Sequence, residues 1–165
     1  MSDQGHDLSH IKYGGEQDHH LDRIAIVVSK WNDKITGTLY EGARETLLLA
    51  GIPPQNIKHY QVPGSYELPT AAQFILDNAP ATDAVICLGV VIQGETRHFD
   101  FICEAVAQGI KDVSLKYNRP VIFGVLTPDT QQQAEDRAGG KYGNKGEEAA
   151  VAALEMIDLY RQLNH

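Results

Sequence analysis

The chain has 165 residues, of which 42% are hydrophobic and 22% charged, and these values are typical of one soluble globular domain with a real core. The formal net charge is −8 and no lysine- or arginine-rich run is present, which disfavours a nucleic-acid partner. No apolar stretch approaches the roughly 18 residues needed to span a bilayer, and no signal peptide is visible, so we expect a cytoplasmic protein without a membrane partner.

The N-terminal segment, residues 1–20, is polar and contains four histidines at irregular spacing. This composition predicts a mobile tail rather than a metal site, although Leu8 and Ile11 could add an edge strand. Residues 21–165 then form a single domain. The two cysteines, Cys87 and Cys103, have apolar neighbours, which indicates reduced, buried thiols rather than a disulfide. No Cys/His set has the spacing of a metal site.

Strands and helices alternate four times along the rest of the chain. Gly51 is predicted to end the first helix as a C-cap residue. The alternation predicts a three-layer α/β/α fold of the flavodoxin-like class, with a four-stranded parallel sheet. The predicted strands are residues 23–29, 57–62, 84–92 and 120–126, and four of the predicted helices are residues 34–50, 66–78, 130–137 and 145–163. A further helix begins near His98. Its apolar spacing consists of Phe101, Ile102, Ala105, Val106, Ile110 and Val113, with Leu115 just beyond.

Polar or aromatic side chains follow each of the first three strands. They are Trp31 after the first strand, residues 65–67 after the second, and residues 95–98 after the third. The carboxyl ends of parallel strands meet at one edge of a sheet, where ligands bind in such folds, so these side chains can converge. A helix that begins near His98 also offers unpaired N–H groups to an anion, and His98 can move a proton near neutral pH.

Each of these residues also has a purely structural interpretation. Trp31 could lie in the core, Ser65 could cap the helix that follows it, and His98 could be a solvated residue of a first helical turn. Arg137 precedes a glycine-rich loop and suits a phosphate group, but a single arginine at a helix end is more often solvated. No dinucleotide fingerprint or phosphate-binding P-loop is present.

Four motifs together carry a resemblance to a known family. The chain resembles the 6,7-dimethyl-8-ribityllumazine synthases from about Arg23 to Leu163. The resemblance implies a cofactor-free condensation of two small-molecule substrates, 5-amino-6-(D-ribitylamino)uracil and 3,4-dihydroxy-2-butanone 4-phosphate, in the penultimate step of riboflavin biosynthesis. The motifs are Val62-Pro-Gly-Ser-Tyr-Glu-Leu-Pro69, Leu88-Gly-Val-Val-Ile-Gln-Gly-Glu-Thr-Arg-His-Phe-Asp100, Pro120-Val-Ile-Phe-Gly-Val-Leu-Thr127 and Arg137-Ala-Gly-Gly-Lys-Tyr-Gly-Asn-Lys-Gly146.

The resemblance also implies a role for each site residue. His98 is the proton-transfer residue, and Phe123 comes from a neighbouring subunit to close the pocket. Two positions depart from the family pattern: position 31, here tryptophan, is often phenylalanine, and position 95, here glutamate, is often a small residue. Because a carboxylate repels a phosphate, we expect Glu95 to offer its backbone N–H and to point its side chain elsewhere. Trp31, Ser65, Tyr66, Glu67, Val90, Val91 and Ile92 hold the pyrimidinedione and its ribityl chain, whereas Glu95, Thr96 and Arg137 meet the phosphate.

The family assembles as homopentamers, and some members close twelve pentamers into an icosahedral shell. The short Gly139–Gly143 connection is similar to that of shell formers, so the resemblance predicts a shell, with riboflavin synthase as a further candidate partner. The residues, taken without the resemblance, are also compatible with two other functions. One is a flavodoxin-like carrier that binds a flavin-like heterocycle without chemistry, and the other is a catalytically idle shell protein.

Overall fold

The structure, a computed structural model, describes residues 12–164, so the edge strand predicted at Leu8 and Ile11 lies outside it. Its main sheet has four parallel strands in the spatial order β2-β1-β3-β4. Helices cover both faces, which confirms the predicted three-layer, flavodoxin-like α/β/α fold. The strands are β1 (Ile24–Ser29), β2 (Ile57–Val62), β3 (Ala84–Val90) and β4 (Val121–Leu126).

The two central strands, β1 and β3, are buried along their whole length, as their continuous apolar sequences predict. They pair with Val28 opposite Leu88, and β3 pairs with β4 so that Cys87 lies opposite Phe123. The edge strand β2 buries only its two end residues and leaves residues 58–61 exposed. The strands that carry the most apolar side chains therefore occupy the centre of the sheet.

Five helices pack around this sheet and divide its core in two. Helices α1 and α5 cover one face, against Ile26 and Leu88, whereas α2 and α3 cover the other, against Val27 and Cys87. Successive residues of one strand point to opposite faces, which is why neighbours along β1 and β3 belong to different cores. The helices are α1 (Asp33–Leu49), α2 (Leu68–Asn78), α3 (His98–Tyr117), α4 (Gln131–Asp136) and α5 (Lys145–Leu163).

Helices α1 and α5 approach so closely that only glycine fits at their contact. A Cβ atom at Gly146 would lie 1.9 Å from the backbone oxygen of Leu39. The buried Asn144 fixes this contact, since its Oδ1 accepts a hydrogen bond from Gly146 N (2.7 Å) and its Nδ2 donates to Thr38 O (3.0 Å). Asn144 thus caps the N-terminus of α5 and also hydrogen-bonds to the backbone of α1.

Several local expectations need correction. The segment 65–67, predicted as the start of an α-helix, is a 3₁₀ turn that precedes α2. The glycine-rich loop contains a small antiparallel hairpin, β5 (Ala138–Gly140) and β6 (Gly143–Asn144). Phe101, predicted on the apolar spacing of α3, is exposed, whereas Val106, Ile110 and Val113 are buried and Ile102 packs against them. The predicted end of α1 is confirmed, since Gly51 follows it with φ of 94°.

The chain is already packed before the predicted domain boundary at residue 21. His19 is 0% exposed, and Tyr13 makes a 2.5 Å hydrogen bond to Asp158 in α5. The described part of the predicted tail therefore belongs to the folded body, whereas residues 1–11 lie outside the description. This packing lies at the amino-terminal edge of the sheet, close to the start of β1.

Candidate functional site

The loops that follow β1, β2 and β3 lie at the carboxyl-terminal edge of the sheet, which we call the rim. Their proximity follows from the strand order, because β1 lies between β2 and β3. Two backbone hydrogen bonds tie the loops to their neighbours: Lys30 N donates to Val62 O (2.9 Å), and Val91 N donates to Leu126 O (2.8 Å). The predicted gathering of strand-end loops at one edge is thus the geometry of this fold.

The indole of Trp31 and the carboxylate of Glu67 both lie close to Gly64 at the rim. A Cβ atom at Gly64 would lie 3.2 Å from Trp31 Cδ1 and 3.4 Å from Glu67 Oε2. Trp31 is 72% exposed, so it is not the core residue that the structural alternative described. A large ring held open beside a carboxylate can stack on a planar heterocycle while the carboxylate accepts hydrogen bonds from its substituents.

The 3₁₀ turn at residues 65–67 determines where these polar groups point. Glu67 Oε2 accepts a hydrogen bond from Gly64 N (3.0 Å), and Glu67 N donates to Gly64 O (3.2 Å). This reciprocal pair closes the turn, so the prediction that Ser65 caps the helix is wrong. The ring of Tyr66 is exposed at the rim, whereas Ser65 is buried.

Two buried serine hydroxyls lie beneath the rim. Ser29 ends β1, and the hydroxyl oxygens of Ser29 and Ser65 lie 3.2 and 2.5 Å from the position that a Cβ atom would take at Gly89. Neither hydroxyl has a hydrogen-bond partner among the described residues. At Gly89, strand β3 therefore comes close to the turn that carries Tyr66 and Glu67, and the absence of a side chain makes this contact possible.

The loop after β3 passes from buried to exposed residues toward α3. Val90 is buried, Val91 and Ile92 are half-buried, and Glu95 and Thr96 are exposed. Thr96 Oγ1 accepts a long hydrogen bond (3.4 Å) from His98 N, the first residue of α3. The imidazole of His98 is exposed. The loop thus brings a hydroxyl and an imidazole to the N-terminus of a long helix, where a negative charge is stabilised.

Phe123 and Arg137 occupy different parts of the fold. Phe123 lies inside the edge strand β4 and is 36% exposed, rather than on a strand-end loop. Arg137 ends α4, and its guanidinium carbon lies 5.8 Å above the ring of Tyr142 in the glycine-rich loop. The backbone oxygen of Arg137 also accepts a hydrogen bond from Lys145 N (2.9 Å), so the residue is fixed between α4 and α5.

A cleft of about 300 Å³ lies beside the rim on the α1 face of the sheet, and the sequence analysis missed it. Its wall contains a stacked pair, Tyr40 and His59, with ring centroids 4.0 Å apart. Burial lowers the pKa of His59, and Glu41 opposes that shift. The sequence signal that could have indicated the cleft is the pair of polar residues His59 and Gln61 on one face of β2. The cleft is lined by Val28, Ser29, Lys30, Asp33, Thr36, Gly37, Tyr40, His59 and Gln61.

Neither cysteine is suited to nucleophilic chemistry. Burial raises the pKa of the Cys87 thiol to about 12. Burial also raises the pKa of Cys103, and the nearby Asp100 adds to this effect. Within residues 12–164, no cluster of three metal-ligating side chains occurs. No helix in the same range is long and apolar enough to cross a membrane.

The fold and the rim define the class of protein, a flavodoxin-like α/β protein with polar and aromatic strand-end loops. The sequence model of the 6,7-dimethyl-8-ribityllumazine synthase family matches residues 22–161. The chain belongs to this family, whose members are enzymes of riboflavin biosynthesis.

Relatives named 6,7-dimethyl-8-ribityllumazine synthase align with almost the whole chain. The protein of Cytophaga hutchinsonii is 58% identical over 95% of this chain and 98% of its own length. That of Parabacteroides distasonis is 49% identical over 92% of this chain and 94% of its own length. That of Bacteroides fragilis is 47% identical over 86% of this chain and 99% of its own length. The similarity therefore extends over both faces of the sheet and all loops of the rim.

Proposed function

We propose that the protein condenses 5-amino-6-(D-ribitylamino)uracil with 3,4-dihydroxy-2-butanone 4-phosphate to give 6,7-dimethyl-8-ribityllumazine, phosphate and water. The observation that carries this proposal is the exposed ring of Trp31 beside the carboxylate of Glu67, at the rim of a chain that belongs to this family. This arrangement fits a planar base that bears a polyol chain.

The reaction consists of steps that need no cofactor. The 5-amino group attacks the ketone, and loss of water leaves an imine. A proton leaves carbon as phosphate departs, and the resulting enol becomes a carbonyl. The ribityl-bearing nitrogen closes the ring on that carbonyl with loss of a second water. Holding two reactants in one orientation supplies most of the rate, since effective molarities for well-oriented reactants reach about 10⁵–10⁸ M.

The pyrimidine partner binds on the Trp31 side of the rim. Trp31 stacks on the pyrimidinedione, and Val90, Val91 and Ile92 line the pocket around it. Ser65, Tyr66 and Glu67 hold the ribityl chain and the ring. The support for these roles is the 3₁₀ turn at residues 65–67, which places the Glu67 carboxylate beside Trp31.

The phosphate-bearing partner binds at the N-terminus of α3. The backbone N–H of Glu95 and the hydroxyl of Thr96 meet the phosphate, while the carboxylate of Glu95 points into solvent to avoid repulsion. Arg137 pairs with the phosphate. His98 transfers protons during imine formation and phosphate elimination, which adds roughly 10²–10⁴-fold to the rate.

The active protein is a homopentamer in which each site is shared between two subunits. Phe123 supports this proposal, because it lies within the edge strand β4 with its ring partly exposed, where a neighbouring subunit can approach it. Twelve pentamers close into a shell in the cytoplasm, and riboflavin synthase is a further candidate partner. A pentamer-sized particle in size-exclusion chromatography would rule out the shell.

The proposed function is tested by mixing the two substrates and following the fluorescence of the lumazine product. We expect product formation well above the uncatalysed background, and a loss of about 10²–10⁴-fold in kcat for His98→Ala. His20→Ala is a matched control, because His20 is also exposed but lies far along the chain from the rim. Binding without turnover would instead indicate a carrier, and assembly without either would indicate an idle shell protein.

A further inference from the structure

Asn32, which lies between Trp31 and the first residue of α1, has an unusual backbone conformation for its place in the fold. Its φ is 59° and its ψ is 52°, in the left-handed region that residues with a Cβ atom rarely adopt. The residue before a helix usually has extended backbone instead. Among residues 12–164, one other non-glycine residue has positive φ, Asn118, but it ends α3, where left-handed residues are common. The conformation of Asn32 therefore needs its own explanation.

Helix capping does not explain the asparagine at position 32. Its side chain makes no capping hydrogen bond to α1. Its backbone oxygen accepts hydrogen bonds from Ile35 N (3.0 Å) and Thr36 N (3.0 Å), and every residue type can provide that oxygen. Asparagine is, however, among the few residue types other than glycine that enter the left-handed region readily. The residue type thus suits the backbone conformation rather than a cap.

The backbone is anchored on both sides of Trp31. Lys30 N donates to Val62 O (2.9 Å), which ties the chain to the end of β2, and the bonds to Asn32 O tie it to α1. Trp31 lies between these anchors, so the φ of Asn32 helps to set the direction of its side chain. An ordinary φ near −60° would rotate the Trp31 peptide by roughly 120° relative to α1. Such a rotation would disturb either an anchor or the ring.

Neighbouring side chains of this loop accordingly lie in different places. Lys30 and Asp33 line the cleft on the α1 face, whereas the indole of Trp31 lies beside Gly64. Its Cδ1 and Nε1 atoms are 3.2 and 3.7 Å from the position of a Cβ atom at Gly64. Within the protomer, packing restrains little of this ring, since Trp31 is 72% exposed. The direction of the ring therefore depends mainly on the backbone.

We propose that Asn32 is a positioning residue, whose left-handed backbone holds the Trp31 ring in its stacking position before the pyrimidine substrate binds. The identity of that ligand rests on the function proposed above. A ring that is already oriented loses less conformational freedom on binding, which raises affinity. Alanine disfavours the left-handed region, so Asn32→Ala should lower the population with the ring in place about fivefold. Glycine enters this region without strain.

The first test reads the ring directly, because Trp31 is the only tryptophan of the chain. In the substrate-free, assembled protein, the decay of tryptophan fluorescence anisotropy should show more rapid ring motion in Asn32→Ala than in the wild type or Asn32→Gly. Asn118→Ala is the matched control, since it removes the same residue type from the same backbone region but at the amino-terminal end of β4. It should leave the ring motion unchanged. Equal ring motion in Asn32→Ala and the wild type would overturn the proposal.

The second test is calorimetric titration with the pyrimidine substrate alone. Its Kd should rise about fivefold in Asn32→Ala and change less than about twofold in Asn32→Gly and Asn118→Ala. In a Trp31→Ala background, Asn32→Ala should have less than about a twofold effect, because Asn32 acts through the ring. Additive effects of the two substitutions would contradict the positioning role. A wild type that does not bind the pyrimidine would instead contradict the proposed function, while the anisotropy of the substrate-free protein still decides the role of Asn32.

Discussion

The close approach of β3 to the rim at Gly89 gives a sharp test of the site's construction. A methyl group at this position would lie 2.5 Å from Ser65 Oγ, 3.1 Å from Leu68 Cδ1 and 3.2 Å from Ser29 Oγ. Insertion of a methyl group into a packed interior costs about 1–3 kcal/mol. Gly89→Ala should therefore lower the free energy of unfolding by that amount and displace the turn that carries Glu67.

The loss of stability in Gly89→Ala should depend on the hydroxyl of Ser65. That hydroxyl has no hydrogen-bond partner among the described residues, so Ser65→Ala alone should change stability by less than about 1 kcal/mol. In the Ser65→Ala background the shortest contact is gone, and Gly89→Ala should cost about 1 kcal/mol less than in the wild type. Gly94→Ala is the control, because nothing lies within 4 Å of its added carbon.

The assay is urea-induced unfolding of the four proteins of this cycle at one protomer concentration, since assembly makes stability depend on concentration. The KM of the pyrimidine substrate is measured beside it and should rise in Gly89→Ala more than in the double variant. Additive free energies, or equal stability of Gly89→Ala and Gly94→Ala, would refute the reasoning from this contact.

Three further predictions concern single side chains. Arg137→Ala should raise the KM of the phosphate-bearing substrate far more than that of the pyrimidine, because the guanidinium pairs with phosphate; steady-state kinetics with each substrate varied would show equal effects if the assignment is wrong. Because burial raises the pKa of Cys87 to about 12, a thiol reagent should label at most Cys103 in the native protein, and Cys103→Ala should remove all labelling seen by mass spectrometry. Burial lowers the pKa of His59, so the unfolded chain binds a proton at this residue at a higher pH than the folded chain does, and the folded state should lose stability as pH falls below about 6.5. Thermal unfolding of His59→Phe should show a smaller loss of stability at low pH than the wild type. Identical pH profiles of the two proteins would contradict this prediction.

Element identity and the location of the rim follow from local pattern. The β-branched run at the start of β1 and the apolar spacing of α5 each specify one element, and alternation of such elements fixes a parallel sheet whose loops meet at one edge. The placement of Trp31 near Glu67 is a consequence of that topology. These features need no knowledge of distant contacts.

The features that sequence reasoning missed depend either on partners far along the chain or on glycine conformations that the residue pattern does not reveal. The buried His19 lies 3.3 Å from Asp158 near the other end of the chain, whereas its polar surroundings in sequence resemble a solvated tail. The hairpin β5–β6 is shorter than a recognisable strand and relies on positive φ at Gly139 and Gly143. Ser65 has the residue type of a helix cap, but Gly89 leaves room for its hydroxyl to turn inward.

The contact of α1 with α5 has a consequence for biosynthesis. The apolar face of α1, with Leu39 and Leu47, is covered by α5, which the ribosome produces after all four strands of the main sheet. Until α5 emerges, one of the two cores of a nascent chain stays open to solvent and to association with other chains. A stop codon before Asn144 removes both the helix and its cap. Such truncated chains are expected to depend on chaperones and to be degraded rather than retain partial activity.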